Sequence, residues 1–140
     1  MDINGKWKGY YEYGVGYLLP YFGNRVEIEV TFTVDNSEYI TGSVSETPSD
    51  LSVDAVASLK GFIDESLISF IKTYPVLPEI DENGNVVLKK GTLEIQHTGF
   101  IDEEYKAIYG DWIIEDSFVN ENGQTEFTDL TGIWFLKKTE

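Results

Sequence analysis

The feature that most constrains this chain is a two-residue alternation of apolar and polar side chains along nearly its whole length. Its clearest stretch is Val26, Ile28, Val30, Phe32 and Val34, interleaved with Glu27, Glu29, Thr31 and Thr33. Successive side chains of a strand point to opposite faces, so this pattern predicts an antiparallel strand with one dry and one wet side. The same pattern places strands at Trp7–Tyr13, around Ile40–Val44, at Leu51–Ile63, Leu67–Tyr74, Leu93–Ile101, Ile108–Ile114 and Leu130–Leu136. That makes eight, with Val86–Leu88 as a short ninth. Asp50–Lys72 also carries partial helical spacing through Val56, Leu59, Ile63, Leu67 and Phe70. Strands are the preferred reading there, because a helix would hold Gly61 in its interior at a cost of ~1 kcal/mol. Asn83-Gly84 and Asn122-Gly123 are hairpin turns by their tolerance of positive φ.

Six of these strands carry a glycine on their apolar parity: Gly9, Gly42, Gly61, Gly99, Gly110 and Gly132. Interior glycines weaken a flat strand, and they mark the bends where a sheet coils onto itself or makes room for a large ring. With 9 Tyr, 8 Phe and 3 Trp available as interior rings, the expectation is an all-β, eight-stranded antiparallel up-and-down barrel. A two-sheet sandwich is the alternative. The 140 residues are expected to form one domain, since no linker or composition shift divides them.

All three tryptophans sit in G-x-W: Gly5-Lys6-Trp7, Gly110-Asp111-Trp112 and Gly132-Ile133-Trp134. On these motifs the chain resembles the calycin group of small barrels, which includes lipocalins, avidins and fatty-acid-binding proteins. An early G-x-W opens the first strand of lipocalins and avidins. The segment Gly132 to Lys138 looks like a calycin closing strand with its trailing basic residue. The resemblance implies a lipocalin-like closed barrel in which first and last strands are neighbours, and a ligand held inside. It extends to architecture and to no single member. Gly9 stands where avidins carry Asn, and the connection Gly14–Arg25 is too short for the helical pair of fatty-acid-binding proteins.

Charge and composition then remove whole function classes. The chain has 10 basic and 25 acidic residues, a net charge of −15. Nucleic acids and anionic membranes are not expected partners, because both need clustered Lys and Arg. The absence of Cys and the single His97 exclude thiolate chemistry and multi-His metal sites. No cofactor and no metal are expected. The segment Asp81–Asn85 is similar at first sight to a calcium loop, but the required Gly and Glu are replaced by Val86 and Thr92, so it reads as a hairpin turn. The acidic pairs Asp102-Glu103-Glu104 and Glu115-Asp116 read as solvated. The start of the chain has neither the basic nor the apolar region of a signal peptide, which predicts a cytoplasmic location.

The candidate site follows from polar residues on apolar parity. His97, between Ile95 and Gly99, is either a ligand anchor or base, or a core histidine satisfied by a tyrosine hydroxyl or a backbone carbonyl. Lys72 shares parity with Ile68, Phe70 and Tyr74. On an inward face it needs a carboxylate, from the protein or from a ligand; on the other parity it is solvated. Tyr11, Tyr13, Tyr74, Tyr109, Trp112 and Trp134 are aromatic candidates for a pocket wall or for plain core. The segment Gly14–Gly23 is a loop by its glycines and proline, yet Tyr17, Leu18, Leu19, Tyr21 and Phe22 are large and apolar. They are expected to cover the barrel mouth, as a lid or a fixed plug, or to meet a second subunit.

The resulting expectation is a non-enzymatic module that binds a small, partly apolar molecule. Its pocket would be lined by Tyr11, Tyr13, Phe70, Lys72, Tyr74, His97 and Trp112. The alternatives are a solid-cored structural or protein-interaction barrel, motivated by Ile133 and Phe135 opposite Trp134, and an enzyme using His97 or a tyrosine as acid–base group. Candidate partners are therefore a small apolar molecule and a second copy of the chain.

Overall fold

The computed structural model describes residues 1–139, and their side chains other than those of Asp116, Ser117, Phe118 and Phe127. Among the described residues ten strands form: β1 (Gly5–Tyr13), β2 (Arg25–Val34), β3 (Tyr39–Glu46), β4 (Ala57–Asp64), β5 (Leu67–Tyr74), β6 (Leu77–Ile80), β7 (Val86–Lys89), β8 (Leu93–Asp102), β9 (Ala107–Val119) and β10 (Thr125–Lys138). Eight of them close a barrel in the order β1-β10-β9-β8-β5-β4-β3-β2, with every neighbouring pair antiparallel. β6 and β7 form a separate two-stranded hairpin inserted between β5 and β8. No helix occurs among the described residues, and so none is long and apolar enough to cross a membrane.

Closure is made by β1, which pairs with β2 on one side and β10 on the other. Tyr11 lies opposite Trp134, and Trp7 opposite Lys138. The expected adjacency of the first and last strands is therefore what forms, and it leaves the barrel without a free edge. The alternation of β2 is obeyed throughout: Val26, Ile28, Val30 and Phe32 are buried, while Glu27, Glu29, Thr31 and Thr33 are not.

The two ends of the barrel are built differently. Short turns at 35–38, 65–66 and 103–106 join strands at one end. That end is packed solid by Ile3, Trp7, Phe32, Ile40, Ile68, Ile108 and Leu136. Trp7 Nε1 donates to the carbonyl of Ile3 at 2.9 Å, which seats the N-terminal segment beneath the barrel. The Lys138 ammonium lies 5.1 Å from the Trp7 ring centroid, a cation–π contact between the closing strand and the first. The long connections, 14–24, 47–56 and 75–92, all lie at the opposite end.

The apolar-parity glycines serve both purposes expected of them. A Cβ on Gly110 would lie 1.9 Å from the Thr98 carbonyl oxygen, so the β8 backbone occupies its place. A Cβ on Gly132 would lie 2.3 Å from the Trp112 ring. The first permits tight coiling and the second makes room for an indole.

Two expectations need correction. Residues 51–56 continue the alternation of β4 in sequence but form turns, and the strand begins at Ala57. Their apolar side chains are there because the segment folds inward over the open end, where Val53 is buried. The helical reading of this region fails as well. Leu77–Ile80 is a strand that the alternation did not indicate. It is only four residues long and contains Pro78, which has no N–H to give. Its partner β7 contains the short ninth strand expected at Val86–Leu88. The turn between them is the hairpin read from Asp81–Asn85, with Asp81 Oδ1 accepting from the amides of Asn83 and Asn85 at 2.9 Å each.

The glycine geometry yields a direct prediction. Gly110→Ala forces a methyl group into the neighbouring backbone and costs about 1–3 kcal/mol, read as a lowered urea midpoint at unchanged slope. An unchanged midpoint would show that β8 and β9 are not held this closely.

Candidate functional site

Below the long connections the barrel is hollow. A cavity of about 580 Å³ is bounded by Tyr11, Tyr13, Lys72, Tyr74, Ile95, His97 and Trp112 from the barrel strands. Tyr17 and Tyr21 from the 14–24 connection, Val53 from 47–56, and Leu77, Pro78, Ile80 and Val86 from the hairpin add to its wall, with Leu93, Ile114 and Leu130 from β8, β9 and β10. Glu79 and Glu115 also border it. The size falls within the range of small-molecule sites, roughly 300–1,000 Å³. A second void of about 10 Å³ lies deeper, bordered by Tyr11, Phe70, Lys72, His97, Trp134 and Leu136. It has room for about one water.

The structure brings six of the seven expected lining residues together on the main cavity: Tyr11, Tyr13, Lys72, Tyr74, His97 and Trp112. Phe70 is different. It lies beneath the cavity, stacked on the His97 ring at 4.7 Å between centroids and 17° between planes. Trp134 joins it there, 5.4 Å away. Tyr109 is on the outside of the barrel, because its neighbour Ile108 holds the inward parity. Of the five loop residues, Tyr17 and Tyr21 turn inward, packing against Tyr13 at 4.8 and 5.2 Å. Leu18, Leu19 and Phe22 point to solvent, 84%, 79% and 50% exposed. The Tyr21 hydroxyl donates to the carbonyl of Gly84 at 2.7 Å, which ties this loop to the hairpin turn across the mouth.

Lys72 faces inward, with Ile68, Phe70 and Tyr74 buried on the same parity. Its counter-charge is Glu46, at the end of β3, a residue that sequence reasoning did not single out. The Glu46 side chain is fully buried. Glu46 Oε1 accepts from the Tyr11 hydroxyl at 2.6 Å and from the Val53 amide at 2.8 Å. Oε2 accepts from the Tyr74 hydroxyl and from Lys72 Nζ, the latter at 3.5 Å. Lys72 Nζ also donates to the Tyr74 hydroxyl at 2.7 Å, and lies over the Tyr11 and Tyr74 rings at 4.7 and 4.5 Å. Burial pulls the Lys72 ammonium below its ordinary range, and Glu46 opposes this. Burial, reinforced by the Glu46 carboxylate, raises the phenols of Tyr11 and Tyr74 well above theirs, so both stay protonated and donate. A signal for Glu46 was present in principle. It breaks the inward parity of Ile40 and Val44 with an acid, on the strand opposite Ile28.

The His97 ring makes one hydrogen bond among the described residues, from Nδ1 to the carbonyl of Ile95 at 3.1 Å. A carbonyl only accepts, so Nδ1 carries the proton. Burial, with the nearby Lys72 charge adding to it, pushes the imidazole down to about 3. It is therefore neutral at ordinary pH, and Nε2 is a bare acceptor with no partner among the described residues. No group of His, Asp and Glu suited to a metal ion occurs among the described residues.

The histidine gives a pH prediction with a definite sign. The unfolded chain protonates His97 near its ordinary 6.5, whereas the folded chain resists until about 3. Between these values the unfolded state binds more protons, so stability is full above 6.5 and falls with acidification, by up to about 1.4 kcal/mol per pH unit. Urea unfolding of wild type and His97→Phe across this window should show the steeper loss in wild type. Parallel profiles would mean that His97 is solvated.

No protein-family model matches this sequence and no curated protein is similar to it, so the chemistry of the cavity is what identifies the site.

Proposed function

We propose that this barrel binds a small, partly apolar molecule in the cavity at its open end and releases it unchanged. The observation that carries this reading is the half-filled interior. One end is packed by large side chains, while about 580 Å³ remains open under the long connections. Apolar and aromatic walls with a few convergent polar groups are what small-ligand sites have in common. The 14–24 loop and the β6–β7 hairpin form the gate, held together by Tyr21 and Gly84. The architecture, the Trp7–Lys138 contact and the β1–β10 closure support a calycin-type relationship.

A non-catalytic role fits the state of the titratable groups. His97 spends Nδ1 on a backbone carbonyl, and no carboxylate orients it among the described residues. An imidazole pushed down to about 3 is a feeble base at neutral pH. The buried tyrosines are raised, away from nucleophilic character.

Titration with the neutral fluorophore N-phenyl-1-naphthylamine tests the reading. It should bind at one site and quench tryptophan emission through Trp112. Ile95→Trp, which fills the cavity, should abolish binding. Tyr21→Phe should accelerate both association and dissociation several-fold by releasing the gate. Native mass spectrometry should also show added mass on freshly purified protein. Absence of both fluorophore binding and added mass would remove the proposal.

One outer surface favours a second, compatible reading, association with another copy of the chain. Tyr10, Phe135, Tyr109, Phe100 and Leu67 lie directly opposite one another across five adjacent strands. Tyr10 and Tyr109 stack on Phe135 at 5.8 and 6.3 Å. Such a row suits a self-complementary two-fold contact. Sedimentation velocity should then detect a dimer that Phe135→Glu dissociates, and a monomer at every concentration rules this out.

A further inference from the structure

We infer that the buried end of the ligand is uncharged and carries a hydrogen-bond donor beside an acceptor, as a primary carboxamide or an alcohol does, and that the site discriminates against the matching carboxylate. This rests on the cavity being a binding site and names the class of molecule it takes.

Most polar atoms around the cavity are already committed within the protein. The Tyr13 hydroxyl is spent on the Leu51 carbonyl at 2.6 Å and that of Tyr21 on Gly84. The Tyr11 and Tyr74 hydroxyls are spent on Glu46. Trp112 Nε1 is spent on the Ile133 carbonyl at 3.2 Å. Both oxygens of Glu46 accept two bonds each. The Tyr17 hydroxyl, on the covering loop, makes no hydrogen bond among the described residues, and the Tyr11 and Tyr13 oxygens, having donated, keep acceptor lone pairs. At the deep end the nitrogen groups of two side chains also keep capacity. His97 Nε2 is a bare acceptor. Lys72 Nζ has three N–H groups, of which Tyr74 and Glu46 take two. These residues are diagonal neighbours on paired strands, since Lys72 lies opposite Ile95, two residues from His97. Both border the main cavity and the small void below it, which places them at its deep end. An occupant reaching that depth must leave a donor for His97 and an acceptor for Lys72, or strand them in an apolar setting.

The charge count decides between head groups. Lys72 and Glu46 cancel, and His97 is neutral, so the floor carries no net charge. A ligand carboxylate would add an unpaired buried negative charge beside Glu46. It would also set its lone pairs against that of His97 Nε2, with nothing to donate. Glu79 and Glu115 add repulsion at the cavity edge. An alkylammonium could donate to His97, but it would meet the Lys72 charge. A neutral carboxamide or hydroxyl satisfies both groups. The ligand carboxylate that an inward Lys72 could have used is therefore already supplied by the protein.

The test uses one chain length with four head groups: decanamide, decan-1-ol, decanoate and decylammonium, titrated calorimetrically at about pH 7.5, where both ions are fully charged. Wild type should bind decanamide and decanol at least about tenfold more tightly than either ion. Glu46→Gln unpairs Lys72 and should shift preference toward decanoate by about tenfold or more. His97→Phe keeps the stack on Phe70 and should weaken decanamide and decanol while sparing decanoate. Decanoate binding as tightly as decanamide overturns the inference while leaving the cavity a binding site. N-phenyl-1-naphthylamine binding with no response to decanamide or decanol does the same. Failure of that fluorophore and all four decyl compounds overturns the proposed function itself. Should Glu46→Gln fail to fold, the wild-type ranking and the His97→Phe response decide.

Discussion

The pairing of β1 with β10 turns a sheet into a closed barrel, and the interior follows from it. Without it the sheet has two free edges and no enclosed volume. With it, every inward side chain faces the same limited interior, and the size of the residues at each level sets what space remains. Trp7 and Trp134 sit on the two strands that close. Trp7 fills the end where the turns are short, and Trp134 lies under the cavity floor beside Phe70 and His97. Glycines at Gly99 and Gly132 give the indoles of Trp134 and Trp112 their space, so the glycines of β8 and β10 let large rings fill the interior.

The polar floor is the second organising element. A buried ammonium is tolerable only with a counter-charge and with its donors occupied. Lys72 obtains its counter-charge from Glu46 on β3, 26 residues away, and gives a second N–H to Tyr74 on its own strand, which leaves one N–H toward the cavity. Glu46 in turn holds the Val53 amide, so the same carboxylate fixes the 47–56 connection over the cavity. Tyr13 does likewise through the Leu51 carbonyl. The network thus does two things. It neutralises the interior charge, and it shapes the rim of the opening.

The cover over the cavity has a different character. Its loop exposes Leu18, Leu19 and Phe22, and its tie to the hairpin is one hydrogen bond from Tyr21 to Gly84. The cover is not loose throughout: Tyr21 is buried, Tyr17 packs on Tyr13 and Trp112, and Gly14 and Val15 bond to Thr131 of β10. What is lightly held is the tip at Leu18, Leu19 and Phe22, and segments with few buried contacts open at low free-energy cost.

Much of this was legible in the residues themselves. Alternation determined the strands, the six apolar-parity glycines determined the curvature, and the G-x-W repeats marked the strands that meet. These are local properties, since a side chain's face follows from its parity. They even place Lys72 and His97 inside once the parity of Ile68 and Ile95 is known. Alternation misled at residues 51–56, where an apolar every-other pattern belongs to turns tucked over the mouth. It was silent at Leu77–Ile80, a strand too short to show a period. The partner of each buried polar group and the emptiness of one end came from the three-dimensional packing alone. Glu46 lies 26 residues from Lys72 in the chain, and their meeting depends on barrel closure and shear. A cavity is likewise the difference between the volume that eight strands enclose and the volume their side chains fill, and no stretch of sequence carries that difference by itself.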